Sequence, residues 1–209
     1  MDKQVNKDHY NFSSYMGKTR WISVWHQLDE VLTQNPNSVL EVGPGPGVFK
    51  AIADIFGLKV ETLDLDPELM PDHVGSATDL SFPENSFDVG CAFQMLEHLP
   101  YDIALQAFKE LVRVSRNSVI ISLPDAKRVW RYSADIPKFG QIQLHFPRPF
   151  SKPKEHVFDG EHYWELNKKG YSLEKVVDDL CLSADLLKTW RVHENPYHRF
   201  FVFSKKMNT

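Results

Sequence analysis

The chain has 209 residues and a formal net charge of −4, with 42% hydrophobic and 25% charged residues. This composition is typical of a folded globular protein, which excludes disorder as the main state, and the lack of a basic run excludes nucleic acid as the principal partner. Two cysteines are too few for a disulfide framework or a thiolate metal site, and no apolar run is long enough to span a membrane. The start of the chain lacks the apolar core of a secretory signal, which predicts a cytoplasmic protein.

Up to residue 123 the chain alternates between helical and strand-like patterns. Residues 1–18 show little periodicity and are interpreted as an arm or flap, whereas the spacing of apolar residues predicts a helix over 19–32. Trp21, Trp25 and Leu28 on that helix are interpreted as core residues. Strands are predicted at 38–42, 58–63, 73–75, 87–93 and 118–123, with helices at 48–57 and 101–114. This alternation predicts a parallel sheet covered by helices on both faces.

The pattern changes after Pro124. Residues 124–165 are rich in proline and aromatic residues and predict an irregular insertion, here called the lid segment. A helix is predicted at 167–182, followed by an antiparallel pair of strands at 186–192 and 199–204. We therefore expect one α/β domain over 1–209, with 1–36 as an N-terminal arm and helix. Its sheet is expected to be doubly wound, mostly parallel and seven-stranded, with an antiparallel last strand and the lid segment after strand five.

A glycine-rich turn directly follows the first predicted strand. Gly43, Gly45 and Gly47 let the backbone approach a ligand closely, and the helix that begins near Val48 presents free amide groups to it. A dinucleotide fingerprint would have its third glycine at position 48, where this chain has valine. Asp64, at the end of the second strand, is suited to bind both hydroxyls of a ribose. Together these features indicate a nucleoside ligand without choosing between cofactors.

Three later segments distinguish between the cofactor classes. They are 75–83, 85–89 and the run Gln94-Met95-Leu96-Glu97-His98-Leu99. With Glu41 and the glycine turn, they resemble the class I S-adenosylmethionine-dependent methyltransferases over roughly residues 38–123. The chain is most similar to a bacterial small-molecule branch that has a Leu-Glu-His-Leu run after strand four.

This resemblance implies that S-adenosylmethionine is the cofactor. The residues expected to hold its methionine and ribose parts are Glu41, Gly43, Gly45 and Gly47. The residues expected beside the ribose hydroxyls and the adenine are Asp64, Leu65, Ser76, Ala77 and Thr78. Gln94 is expected at the sulfonium end. Ser76 departs from the family, which usually has an acidic residue at that position.

The acceptor is expected to be a small molecule, such as a sugar or a glycan or secondary-metabolite precursor. The candidate general bases are His98, His145 and His162, with a structural role in capping the next turn as the alternative for His98. Four basic residues of the lid segment form either a surface for an anionic substrate or a solvated loop: Lys138, Arg148, Lys152 and Lys154.

Metal is not expected, because the acidic and histidine residues of the lid segment do not follow a recognised ligand spacing. They are Glu155, His156, Glu161 and His162. The protein is expected to be a monomer or a homodimer. Two alternatives to a methyltransferase stay open at this point. One is an inactive S-adenosylmethionine-binding module, and the other is a nicotinamide-dependent oxidoreductase, which Val48 disfavours.

Overall fold

The computed structural model describes residues 7–206, with all side chains except those of Lys7, Asp8 and Ser14. The helices are α1 (Phe12–Tyr15), α2 (Lys18–Leu32), α3 (Val48–Ile55), α4 (Tyr101–Val114) and α5 (Leu173–Leu180). The strands are β1 (Val39–Val42), β2 (Val60–Asp64), β3 (His73–Val74), β4 (Phe87–Phe93), β5 (Ser115–Pro124), β6 (Val129–Ile136), β7 (Gly140–Pro147), β8 (Ala184–Arg191) and β9 (His198–Lys205). Short 3-10 helices occur at Lys7–Tyr10, Pro67–Leu69 and Leu96–His98.

Seven strands form one sheet in the order β3-β2-β1-β4-β5-β9-β8. The first five of these strands pair in parallel, whereas β9 runs antiparallel to both β5 and β8. The predicted fold class, a mostly parallel seven-stranded sheet with an antiparallel last strand, is therefore confirmed. Parallel pairing brings the carboxyl ends of β1, β2 and β4 to the same edge of the sheet, where ligands bind in folds of this kind.

Each face of the sheet has its own hydrophobic core. Neighbouring residues of one strand point to opposite faces, so Ile121 packs in the core that contains α4 and α5, and Ile120 packs in the core that contains α2 and α3. Phe108 of α4 and Phe49 of α3 are almost fully buried, one in each core. Burial on both faces explains why β4 is buried at every position instead of at every second one.

The lid segment is not irregular throughout, which corrects the prediction for 124–165. Strands β6 and β7 pair antiparallel into a hairpin that is separate from the main sheet. Its prolines delimit the strands instead of breaking them, since Pro137 follows β6 and Pro147 ends β7. One face carries apolar side chains at every second position: Trp130, Tyr132, Ala134, Ile136, Ile142, Leu144 and Phe146. Most of these side chains are exposed, so the hairpin projects from the domain.

Two further expectations are corrected by the structure. Trp21 and Trp25 are 41% and 57% exposed. Of the three residues predicted to lie in the core on α2, Leu28 alone is buried. Their periodicity is helical, but their side of the helix faces away from the sheet. The helix predicted at 167–182 begins at Leu173. Ser172 caps the start of this helix, because its side chain accepts a hydrogen bond from Lys175 N. None of the described helices is both long and apolar enough to cross a membrane.

Candidate functional site

A cavity of about 570 Å³ opens at the carboxyl ends of β1, β2 and β4. It is lined by nine of the ten residues predicted to bind a cofactor: Glu41, Gly43, Gly45, Asp64, Leu65, Ser76, Ala77, Thr78 and Gln94. Gly47 does not line it; with φ +72° it is instead the residue that precedes α3. The structure therefore brings these residues together at the edge of the sheet where the sequence predicted them.

The glycine turn is closely covered by side chains. Gly43 and Gly45 have φ angles of +72° and +54°, a region in which a side chain is strained. A Cβ on Gly43 would collide with Met95, and a Cβ on Gly45 would lie 3.1 Å from Tyr10 Cε1. The backbone conformation and the close neighbours both require glycine at these two positions.

Glu41 is the most buried acidic group on the cofactor side of the cavity. Its side chain is 3% exposed, and its Oε2 atom has no hydrogen-bond partner among the described residues. Burial raises the pKa of Glu41 to about 8, because the charged form is poorly solvated there. A cationic ligand beside this carboxyl group would favour its charged form.

Asp64 is the last residue of β2, and its side chain hydrogen-bonds to the backbone of the turn that follows. Its Oδ1 atom accepts a hydrogen bond of 2.9 Å from Asp66 N. Burial raises the pKa of Asp64, although backbone hydrogen bonds oppose the shift. Leu65, the next residue, lines the cavity, is 43% exposed and offers apolar surface to a flat ring.

Ser76 and Thr78 form the wall that follows β3. The Ser76 Oγ and Thr78 Oγ1 atoms lie 2.8 Å apart and hydrogen-bond to each other. The Thr78 carbonyl accepts a hydrogen bond of 3.2 Å from Gln106 on α4, which ties this wall to the helix. Hydroxyl groups therefore lie at the position where the family that this chain resembles usually has an acidic residue.

Gln94 follows β4 with a φ of +51°, which is uncommon for a residue other than glycine. Its Nε2 atom donates a hydrogen bond of 3.2 Å to Ser122 Oγ, and its backbone N–H donates one of 3.0 Å to the Ser122 carbonyl. Residues held in this region are concentrated at functional sites, where neighbouring contacts maintain the strain.

The opposite part of the cavity, here called the acceptor end, is formed by His98, Glu161, His162 and Tyr197. His98 Nδ1 lies 3.0 Å from the Glu161 carbonyl oxygen, and because that oxygen can only accept, Nδ1 carries the proton. Burial lowers the pKa of His98 to about 4. Two of the three candidate bases, His98 and His162, thus meet in the cavity, with ring centroids 5.0 Å apart.

Glu165 lies next to the acceptor end and hydrogen-bonds to two of its residues. It accepts hydrogen bonds of 2.6 Å from Tyr197 Oη and 3.1 Å from His162 Nδ1. Burial acts to raise the pKa of Glu165, but these two hydrogen bonds and the charges of Lys168 and His162 together outweigh it and lower the pKa to about 2. Burial acts to lower the pKa of His162, but the hydrogen bond to Glu165 and the nearby carboxylates outweigh it and raise the pKa.

The structure does not bring the third candidate base, His145, to the cavity. His145 lies on the hairpin and stacks on His193, with ring centroids 5.0 Å apart. The four basic residues of the lid segment considered for an anionic substrate also lie outside the cavity wall and are exposed: Lys138, Arg148, Lys152 and Lys154. Among the described residues that line the cavity, Arg20 is the only lysine or arginine.

The sequence interpretation missed several residues that complete the cavity. Tyr10, Tyr15 and Arg20 cover its cofactor side, with the Arg20 guanidinium 3.9 Å from the centre of the Tyr15 ring. Asn195 and Tyr197, from the loop between β8 and β9, complete the acceptor end. The aromatic residues scattered through the predicted arm were the one available signal, because polar arms seldom contain them without a surface to cover.

Comparison with known proteins adds independent information. Residues 40–123 match a family model described as a methyltransferase domain. Comparison with curated protein sequences gave no match.

Several solved structures share the fold along nearly the whole chain. A protein from Pyrococcus horikoshii is 16% identical with a TM-score of 0.63, covering 97% of this chain and 100% of its own. A 1,6-didemethyltoxoflavin N1-methyltransferase from Burkholderia thailandensis, solved with that compound and S-adenosylhomocysteine, is 13% identical with a TM-score of 0.60, covering 96% and 87%. The N-methyltransferase NodS from Bradyrhizobium japonicum, solved with S-adenosylhomocysteine, is 12% identical with a TM-score of 0.59, covering 98% and 95%.

Identities this low establish the fold alone, whereas the family model is matched by the sequence itself. The matched region contains the glycine turn, Asp64 and Gln94, and therefore most of the cofactor side of the cavity. The sequence match over residues 40–123 therefore shows a methyltransferase domain, and its fold is shared with solved methyltransferases that contain S-adenosylhomocysteine.

Proposed function

We propose that the protein binds S-adenosylmethionine on the cofactor side of the cavity and transfers its methyl group to a small molecule at the acceptor end. The observation that carries this proposal is the continuity of one cavity, which extends from Gly43 and Asp64 to His98 and His162. A transferase needs donor and acceptor in one space, because the reacting atoms must be aligned and water excluded.

The cofactor assignment has three supports in addition to the shared fold. Asp64 is positioned at the end of β2 to accept hydrogen bonds from a ribose, and Gly43 and Gly45 present backbone without a side chain to the cavity. Burial raises the pKa of Glu41, and the cationic methionine part of the cofactor would offset this effect and favour the charged form of the carboxyl group. Two structural neighbours were solved with S-adenosylhomocysteine, the product of the same donor.

The acceptor is proposed to be neutral or cationic, or to be accompanied by a cation. Five acidic residues line the cavity: Glu41, Asp64, Asp66, Glu97 and Glu161. Arg20 offers the only opposing guanidinium among the described lining residues, and the basic residues of the lid segment are elsewhere. The sequence argument for an anionic acceptor therefore has no support in the cavity wall.

Acceptor choice is assigned to the end of the lid segment and to the β8–β9 loop. Glu161 and His162 come from the first of these, and Asn195 and Tyr197 from the second. Both lie outside the region that matches the methyltransferase model, which is where members of one family differ in substrate. No specific contact favours the alternative of an inactive binding module.

Two measurements test the proposal. Thermal shift should show stabilisation by S-adenosylmethionine and S-adenosylhomocysteine but not by NAD, since a ligand that binds only the native state raises the melting temperature. Formation of S-adenosylhomocysteine is then followed with panels of sugars and secondary-metabolite precursors. Stabilisation by NAD alone would contradict the cofactor assignment, and binding without turnover on any panel would favour the inactive module.

A further inference from the structure

One carboxylate and two imidazoles converge at the acceptor end. The candidate ligand atoms of Glu97, His98 and His162 all lie within 4.8 Å of one another, and the three residues line the cavity. Glu97 is 0% exposed, and neither of its carboxylate oxygens has a hydrogen-bond partner among the described residues. A buried polar side chain without a partner is costly, and a cation held by these three residues would satisfy its oxygens.

Both imidazoles are oriented through their Nδ1 atoms. His98 Nδ1 donates to the Glu161 carbonyl at 3.0 Å, and His162 Nδ1 is 3.1 Å from Glu165 Oε1. Because both partners are acceptors, Nε2 is in each case the nitrogen that offers a lone pair in the neutral ring. Histidines that bind metal ions are usually held in this way, by a carboxylate or a backbone carbonyl at the other ring nitrogen.

The two parts of the cluster are locked together although they are far apart in the chain. Tyr163 N donates a hydrogen bond of 2.9 Å to the Glu97 carbonyl, and Trp164 Nε1 donates one of 3.1 Å to the Leu99 carbonyl. Trp164 is 2% exposed, so the segment that carries His162 is anchored in the core next to Glu97 and His98. The cluster is therefore preorganised, as a binding site requires.

We propose that Glu97, His98 and His162 bind a divalent transition-metal cation. Two imidazoles and a carboxylate suit Zn²⁺ or Mn²⁺, whereas Mg²⁺ prefers a shell made of oxygen ligands. Three protein ligands leave at least one coordination position open, and all three residues line the cavity. In this role the two histidines hold the ion and do not themselves take a proton from the acceptor.

If the proposed methyl transfer is correct, on which this step rests, the open position takes the oxygen of a hydroxyl acceptor. Binding to the cation favours release of the hydroxyl proton to solvent. The oxygen then attacks the methyl carbon of the cofactor, so that the new C–O bond forms as the S–CH₃ bond breaks. The products are a methyl ether, S-adenosylhomocysteine and one proton.

Metal binding is tested without any acceptor. The protein is stripped with a chelator, the chelator is removed, and the sample is titrated with Zn²⁺, Mn²⁺ and Mg²⁺ by calorimetry and with Co²⁺ by visible absorption. We expect one ion per chain, and Glu97→Gln and His162→Asn should each bind Zn²⁺ and Mn²⁺ at least about 100-fold more weakly. Glu165→Gln, which removes the negative charge beside His162 Nδ1, should bind about 10-fold more weakly. His145→Gln is the matched control and should bind as the unmodified protein does.

Binding of S-adenosylhomocysteine is measured on the same samples, and a cooperative thermal unfolding transition reports that each variant is folded. The site is overturned if the folded protein binds no ion, or if Glu97→Gln and His162→Asn bind it with unchanged affinity. Tighter binding of Mg²⁺ than of Mn²⁺ would overturn the assigned class of ion. Metal binding without S-adenosylhomocysteine binding would support the site and contradict the proposed function, so the two failures are distinguishable.

Discussion

The ring of Tyr10 covers Gly45, with Cε1 only 3.1 Å from where a Cβ on that glycine would lie. Gly45→Val should therefore weaken binding of S-adenosylhomocysteine at least about tenfold, because the side chain displaces Tyr10 and strains a backbone with φ +54°. Calorimetry measures the affinity. Gly57→Val is the control, since Gly57 has φ +77° but nothing within 4 Å of an added Cβ. If both variants bind normally, the glycine turn does not hold the cofactor.

Asp64 is expected to contribute more to cofactor affinity than other acidic residues near the glycine turn. Asp64→Ala should weaken binding of S-adenosylhomocysteine at least about tenfold, because each hydrogen bond to a charged group contributes about 1.5–3 kcal/mol. Asp64→Asn, which keeps an acceptor but no charge, should be intermediate. The control is Asp54→Ala, an exposed position on α3. Equal affinities across the three variants would exclude Asp64 from the site.

Glu41 should make the protein less stable at alkaline pH. Its pKa is raised to about 8 in the native state against about 4.3 in an unfolded chain, so the native state binds the extra proton between these values. Stability is therefore lost as the pH rises through this window. Glu41→Gln removes this dependence and should raise the melting temperature by a few degrees more at pH 8.5 than at pH 5, while weakening binding of S-adenosylmethionine. A pH-independent difference between variant and wild type would contradict the burial of a titrating carboxyl group.

Asp125 joins the lid segment to the closing strands. Its carboxylate is 0% exposed and accepts hydrogen bonds of 2.7 Å from Arg191 Nε and 2.8 Å from Arg199 Nε. Asp125→Asn should lower the free energy of unfolding by about 3–5 kcal/mol, because both guanidinium groups lose their counter-charge. Denaturant titration measures this change.

The same residue predicts an acid-sensitive stability. Burial acts to raise the pKa of Asp125, but Arg191 and Arg199 outweigh it and lower the pKa below its unfolded value of about 3.9. The contribution is thus complete above about pH 4 and is lost as the pH falls towards the native pKa. Between pH 5 and pH 3 the wild type should lose more stability than Asp125→Asn. Parallel losses would show that the pairs do not favour the charged form.

The hairpin should be dispensable for cofactor binding. None of its residues lines the cavity, and its ends are adjacent, since Arg148 N donates a hydrogen bond of 3.1 Å to the Arg128 carbonyl. Replacing Val129–Pro147 by a short Gly-Ser linker should change the affinity for S-adenosylhomocysteine by no more than about twofold, as for surface changes in general. A loss of tenfold or more would mean that the hairpin closes over the cofactor.

Much of the fold and half of the site depend on local patterns that can be recognised without a structure. Residues 101–114 and 87–93 have the bounds that were predicted, because strong periodicity and clear turn residues surround them. Gly43 and Gln94 each follow a strand and Asp64 ends one, and a parallel sheet brings the ends of its strands together whatever the details of packing. The sequence by itself therefore determined the sheet and the position of the cofactor side of the cavity.

The tertiary structure alone decided the other half. Glu97 and His162 are separated by a segment that contains the hairpin, and they meet because Trp164 is anchored beneath Leu99. His145, which looked equivalent to His162 in the sequence, is carried away from the cavity by the hairpin. Contacts between distant segments depend on the way in which the long connections between them close and pack. Local periodicity in the sequence does not determine that outcome.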